Sequence, residues 1–224
     1  MINSRESSPD QKQEVLKILR EDFCGIFDSA RKAEAALLFD EIAEAYEVEG
    51  RIYHNLVHIK NLLAFLKKHD WRIKDLQGVK LAAWLHDIVY NTRATDNEEQ
   101  SAQYAQRSLG QLGIPEQVIA HVAALIRATA THEAIKGDSD SEIFLDGDLV
   151  ILGSNEKDYD NYASKIREEY AWVPEQQYRE GRIKVLEAFL KRPKIYFTEE
   201  ISEELKQQAR KNIGRELTAL SQPH

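Results

Sequence analysis

The stretch Leu81-Ala82-Ala83-Trp84-Leu85-His86-Asp87-Ile88-Val89-Tyr90 decides how the rest of this chain is read. It has the form of an apolar helix that ends in an adjacent His-Asp pair. Apolar residues on both sides of a polar doublet indicate that the doublet is held deliberately, because burying a charge without a partner is costly. A divalent cation resolves that cost, since it takes an imidazole nitrogen and a carboxylate oxygen as ligands and supplies the opposite charge. A lone His-Asp dipeptide is a weak signal; what stands before and after it gives it weight.

Composition sets the outer bounds. The 224 residues suit one large domain or a domain with added helices, and 42% hydrophobic content fits a folded core. Ten glycines and five prolines are few for this length, while Ala, Leu, Glu, Lys, Gln and Arg are plentiful. This balance predicts an all-α fold. A net charge of −8 argues against a nucleic-acid polymer or an anionic membrane as partner, though it allows a local basic pocket for phosphate. The single cysteine, Cys24, excludes an intramolecular disulfide. The polar start Met1-Ile2-Asn3-Ser4-Arg5-Glu6 lacks the apolar core of a signal peptide. No apolar run approaches the roughly 20 residues that span a bilayer. A cytoplasmic protein is expected.

Upstream of the quoted stretch, Arg51-Ile52-Tyr53-His54-Asn55-Leu56-Val57-His58-Ile59 opens a predicted helix over 53–68. Within it His54 and His58 would share one face, which Leu62 and Phe65 direct inward. Residues 1–9 read as a disordered lead-in. Asp10 is placed to cap a helix to about Phe23 with Val15, Ile18 and Leu19 on its apolar face. Asp28 or Ser29 is placed to cap a second, with Ala36, Leu37, Phe39, Ile42, Ala43 and Tyr46 at helical spacing and Gly50 as its break.

Downstream, a polar loop 91–96 leads to a helix reaching about Leu109. Thr95 with Glu98, and Asp96 with Glu99, have capping-box spacing. The same acids are alternatively outer-sphere groups beside a metal. Pro115 starts the next helix, with Val118, Ile119, Val122, Leu125 and Ile126 inward. His121 reads as a half-exposed helix histidine rather than a ligand. His132 reads as a loop histidine, or as one that closes over a metal or phosphate. Ile143-Phe144-Leu145-Asp146-Gly147-Asp148-Leu149-Val150-Ile151-Leu152 sets a second acid pair in apolar sequence, and a helix is favoured over a strand. Three more helices are expected over 156–171, 175–191 and 198–219, separated by Pro174 and Pro193. The stripe Tyr159, Tyr162, Ile166 and Tyr170 suits core or a homodimer contact. A Gly-rich phosphate loop, a Cys-x-x-Cys pair and a Gly-x-Ser-x-Gly elbow are all absent from the sequence.

The order His58 … His86-Asp87 … Asp148 resembles the HD superfamily of metal-dependent phosphohydrolases. These are helical domains in which a His, a His-Asp pair and a late Asp converge on a divalent cation. Tyr53-His54-Asn55-x-x-His58 is similar to the opening motif of its cyclic-nucleotide phosphodiesterases, where the first histidine donates a proton and the second binds metal. Asp146-Gly147-Asp148-Leu149 is similar to the Asp-x-Asp element whose second Asp is the ligand. A bacterial-type group of predicted HD phosphohydrolases is more similar still, over most of the chain. That likeness takes in Asp96-Asn97-Glu98-Glu99-x-Ser101-Ala102, the 146–153 segment and Ala209-Arg210-x-Asn212-Ile213-x-Arg215-Glu216-Leu217. Binuclear relatives carry two further histidines; here His121 and His132 are the only candidates, at a spacing that departs from the pattern, and Asn97 stands where some relatives carry a histidine.

The resemblance implies a single HD-type helical domain over 1–224, with a metal-site core about 51–153 and added C-terminal helices about 155–220. It implies His58, His86, Asp87 and Asp148 as ligands of a divalent cation: Mn, Fe, Co, Ni, Zn or Mg. His54 would protonate the leaving oxygen, and Glu98, Glu99 or Asp146 would orient the water. Arg51, Lys60, Arg93 and Arg127 are candidates for holding phosphate or for plain surface roles. The implied activity is hydrolysis of a phosphomonoester or phosphodiester of a small metabolite, foremost a nucleotide. The alternatives are a catalytically weak domain that senses a nucleotide or phosphate, and a helical interaction protein with a structural metal.

Overall fold

The computed structural model describes residues 9–199, 201 and 203–222. Among the described residues the chain is all-α, with ten α-helices, two short 3-10 turns and no strand. The helices are α1 (Pro9–Cys24), α2 (Lys32–Tyr46), α3 (Leu56–Lys68), α4 (Leu76–Leu85) and α5 (Asn97–Gln111), followed by α6 (Glu116–Ala128), α7 (Ser139–Asp148), α8 (Glu156–Glu169), α9 (Glu175–Lys191) and α10 (Glu203–Ser221). The expected lead-in falls mostly on 1–8, outside the described residues, and Pro9 already belongs to α1. Among the described residues no helix is long and apolar enough to cross a membrane.

The centre is α4, in which Gly78, Val79 and every residue from Leu81 to Leu85 are buried. A helix that is apolar all round needs neighbours on every side. α3 and α7 pack on α4 and on each other, α6 covers both α4 and α7, and α5 lies along α6. Phe23 of α1 and Phe39 of α2 meet the Trp84 indole edge-on, at 5.4 and 5.8 Å between centroids. One continuous core runs from Leu19 to Ile213, so the C-terminal helices share it.

α7 can lie close on α3 because position 147 is glycine. A Cβ there would meet Leu62 Cδ1 and Phe65 Cδ1 at 2.7 Å. Two buried polar side chains lock other joins. Ser101 Oγ exchanges hydrogen bonds with the Val89 backbone at 3.1 and 3.2 Å, holding the chain just after α4. Asn212 Nδ2 donates to the Leu152 and Ser154 carbonyls at 2.9 and 2.8 Å, tying α10 to the 3-10 turn Val150–Gly153.

The starts of α4 and α7 are joined by a clasp. Asp75 caps α4 by accepting from Gly78 N at 2.8 Å, and Asp138 caps α7 by accepting from Asp140 N at 2.9 Å. His121 of α6 stands between the two caps, Nδ1 2.9 Å from Asp75 and Nε2 3.1 Å from Asp138. Buried Asp140 closes the join by accepting from Lys74 N and Asp75 N. Desolvation pulls the His121 pKa down, but its bonds to Asp75 and Asp138 outweigh that and raise it. This histidine therefore joins two helix caps.

Several expected boundaries shift for local reasons. In α1, Leu19 and Phe23 face inward, while Val15 and Ile18 face outward. Asp28 does not cap α2; it pairs with Arg31, and the helix begins at Lys32 with Leu37 exposed. α3 starts at Leu56, because Asn55 Oδ1 accepts from Val57 N at 2.9 Å and caps it. His54 thus precedes the helix instead of lying one turn before His58 on it. α4 ends at Leu85, with His86 as its C-cap. Neither capping box forms at α5: Asn97 pairs with the Asn91 backbone in both directions, and Glu99 pairs with Arg127. α7 is a helix, as expected over a strand.

Candidate metal centre

Four side chains meet where the C-terminal ends of α4 and α7 approach α3. His58 Nε2 lies 3.2 Å from His86 Nε2 and 3.2 Å from Asp148 Oδ1. His86 Nε2 lies 3.6 Å from Asp148 Oδ1 and 3.1 Å from Asp87 Oδ2. His58, His86 and Asp148 form a compact set that could hold a metal ion, with donor atoms all within 4.8 Å of one another. Asp87 Oδ2 adjoins it, 3.9 Å from His58 Nε2. Ligands that each sit about 2.0–2.2 Å from one cation stand roughly 3–4 Å apart, so the spacing fits the group.

The donor chemistry fits as well. His86 Nδ1–H donates to the Ala83 carbonyl at 3.0 Å, which leaves Nε2 as the ring atom that would meet a cation. Burial works against charge on His86, yet Asp87 and Asp148 raise its pKa well above the ordinary value. Burial likewise opposes the charge of Asp148, but bonds from His132, His58 and His86 hold its carboxyl well below the usual range. Asp87 is lowered too, by His86 first among its neighbours, against its own desolvation. Groups that shift one another in this way, set in a cavity, mark a candidate functional site.

Around this set the chain supplies supports that the sequence did not announce. Arg51, considered above for phosphate, instead donates to the Asp87 and Ile88 carbonyls at 2.6 and 2.9 Å, under the rings of Tyr46 and Tyr90. It holds the turn that follows the His-Asp pair. His132, with φ of 48°, places Nε2 3.1 Å from Asp148 Oδ2. The ring thus lies beside the cluster and lines the cavity instead of standing free on a loop.

His54 is fixed from behind by Glu169, at the end of α8. Glu169 Oε2 lies 2.7 Å from His54 Nδ1 and accepts from Tyr90 Oη at 3.0 Å. Its Oε1 accepts from Tyr53 N and His54 N at 2.8 and 2.9 Å. Burial pushes the His54 imidazolium down, but the Glu169 bond and the charges of Asp87 and Asp148 raise its pKa overall. Glu169 is itself lowered, despite burial, by that histidine. In sequence, Glu168-Glu169 looks like a solvated helix end, and nothing there distinguished it.

The cluster forms the floor of a cavity of about 680 Å³. Tyr53, His54, Tyr90, Glu98 and His132 surround the four expected ligands, and α8 and α9 make the far wall with Tyr162, Ile166, Tyr170, Tyr178, Val185 and Phe189. The tyrosine stripe of α8 thus serves the interior of this chain. Tyr159 is buried and donates to Glu216 at 2.6 Å. At the rim, Trp172 Nε1 donates to Thr92 Oγ1 at 2.8 Å, and Arg93 lies 4.0 Å over the indole ring.

The remaining expected site residues fall elsewhere. Asp146 is buried away from the cavity. Its carboxylate accepts from Phe197 N, Thr198 N and Thr198 Oγ1 at 2.6–2.8 Å, which anchors the segment before α10. Glu99 forms a surface pair with Arg127 at 2.6 and 2.9 Å, and Arg127 holds its pKa down to about 2. Lys60 is exposed and does not line the cavity. No family model, curated protein or solved structure matches the chain.

Proposed function

We propose that this chain is a metal-dependent phosphohydrolase that cleaves a phosphate ester of a small metabolite, foremost a nucleotide. The observation that carries the proposal is one cavity lined by a metal-competent set, His58, His86 and Asp148 with Asp87 beside it, and by His54, which Glu169 holds from behind. A closed structural metal site needs neither the cavity nor the pair.

A divalent cation held there would acidify a water and offset charge on phosphoryl oxygens. The chain itself arranges the proton traffic. Glu169 engages Nδ1 of His54, so Nε2 is the atom left to carry a proton into the cavity. The neighbouring carboxylates favour the imidazolium form. His54 then acts as general acid toward the leaving oxygen, and Glu98, on the cavity wall, is available to orient a water. The Arg51 grip and the Ala83 carbonyl keep the Asp87 backbone and the His86 ring in register without touching substrate.

The test combines metal analysis with a screen. Purified protein loaded with Mn²⁺, Co²⁺ or Mg²⁺ is assayed against nucleotides and phosphomonoesters for phosphate release. Turnover of at least one is expected, lost in His54→Ala with metal content retained. Full metal content in His86→Ala would remove the premise. Tight nucleotide binding with no release from any ester would make the domain a sensor.

A further inference from the structure

Two arginines and no lysine line the cavity among the described residues. Arg182 is matched by a carboxylate: its Nε and Nη2 donate to Glu216 at 2.8 and 3.1 Å. Arg192 is not matched in this way. Its Nη1 donates to the His132 carbonyl at 2.8 Å and its Nη2 to the Thr131 carbonyl at 2.5 Å, while the guanidinium lies 4.7 Å over the Phe189 ring. Those contacts fix the plane of the fork and use two of its five N–H groups. Glu133 acts on it as a nearby charge, and none of its hydrogen bonds goes to a carboxylate.

Position adds to this. Arg192 grips the backbone of His132, whose ring reaches Asp148 of the cluster. The cation therefore stands one residue removed from the metal-competent set, on the wall formed by the end of α9. The same cavity carries the acids Asp87, Glu98 and Asp148. An anionic ligand entering a cavity that holds those acids needs a compensating cation, and a planar fork held in place suits phosphate oxygens better than a mobile ammonium.

We infer that Arg192 is the anion-recognition residue of this cavity and receives phosphate oxygens of the substrate. The inference rests on the phosphohydrolase reading for the substrate class, while the geometry of the unmatched guanidinium stands apart from it. A purely structural Arg192 would only pin the Thr131–His132 turn.

The experiment uses the full chain loaded with Mn²⁺, as wild type, Arg192→Gln and Arg192→Lys. Binding of inorganic phosphate is measured by calorimetry, alongside metal content, thermal midpoint and the KM for any ester that is turned over. Arg192→Gln is expected to weaken phosphate binding and raise KM roughly ten- to hundredfold, the usual worth of a charge-assisted bond, with metal content unchanged. Arg192→Lys should recover part of the loss through charge alone. Unchanged phosphate affinity in Arg192→Gln, or no phosphate binding by the wild type, overturns the inference. Loss of metal and of thermal midpoint together with affinity would assign the residue to the turn and overturn it as well. Turnover by the wild type with an unchanged KM in the variant defeats the inference alone. Phosphate binding through Arg192 without turnover of any ester defeats the phosphohydrolase reading alone.

Discussion

Asp146 and Asp148 show how two similar residues separate in role. They flank a glycine in one apolar run, and both were sensible site candidates. On a helix, residues two apart point about 200° from each other. Asp148 faces His58 and His132, whereas Asp146 turns to the backbone of Phe197 and Thr198. Asp146→Asn should therefore keep metal content but lower unfolding free energy by about 1–3 kcal/mol, because an amide cannot accept all three bonds. Denaturant melts of the two Asn variants should separate the roles, with Asp148→Asn losing metal instead. The helix period was legible in the sequence and could have divided the pair.

Glu169 was not legible, because its partners are far away in the chain. Glu169→Gln is expected to cut turnover roughly ten- to hundredfold with metal retained. It should also move the basic limb of the pH–rate profile to lower pH. The sign follows from the charge: Glu169 raises the His54 pKa, an acid catalyst works below its pKa, and removing the carboxylate lowers that limit. A profile that keeps its basic limb in place would separate Glu169 from proton transfer.

At the scale of elements, periodicity was sufficient to predict helices and their order, and capping decided where they stop. Asn55 moves the start of α3 past His54, and this frees the histidine to meet Glu169 from a turn. The clasp of His121 with Asp75 and Asp138 was beyond reach of the sequence, since a half-exposed helix histidine has no local mark of two remote partners. Its pKa is raised in the fold, so the stabilisation is complete below the ordinary imidazole range and is lost as pH rises through the raised value. The thermal midpoint should fall across that window in the wild type, and His121→Gln should flatten this component.

For the molecule as a whole, the expected division into a site-bearing core and added C-terminal helices understates the join. α8 supplies Glu169, α9 supplies the far wall, and α10 is pinned by Asn212 to the turn that follows Asp148. The residues that meet at the cluster were legible because a His-Asp pair and a second acid pair stand out in apolar sequence, while the wall was not, because Tyr, Val and Phe at helical spacing look like any core. Gathering acids and imidazoles at one point leaves a charge that a cation would settle. Excess Mn²⁺ should raise the thermal midpoint, by roughly 2.7 kcal/mol of stability at a hundredfold excess over Kd. A chelator should reverse it, and Asp148→Asn should abolish the response.

The rim contact of Trp172 has one more consequence. Trp84 is sealed in the core and Trp71 stands 70% exposed, outside the cavity lining, while Trp172 is 44% exposed at the entrance with Thr92 on its indole nitrogen and Arg93 on its face. The protein thus carries its own optical reporter of occupancy. A molecule entering must displace water beside that indole, so its emission should shift on adding inorganic phosphate to the Mn²⁺-loaded chain and stay still in Trp172→Phe. Ligands can then be sought by light, before any reaction is known.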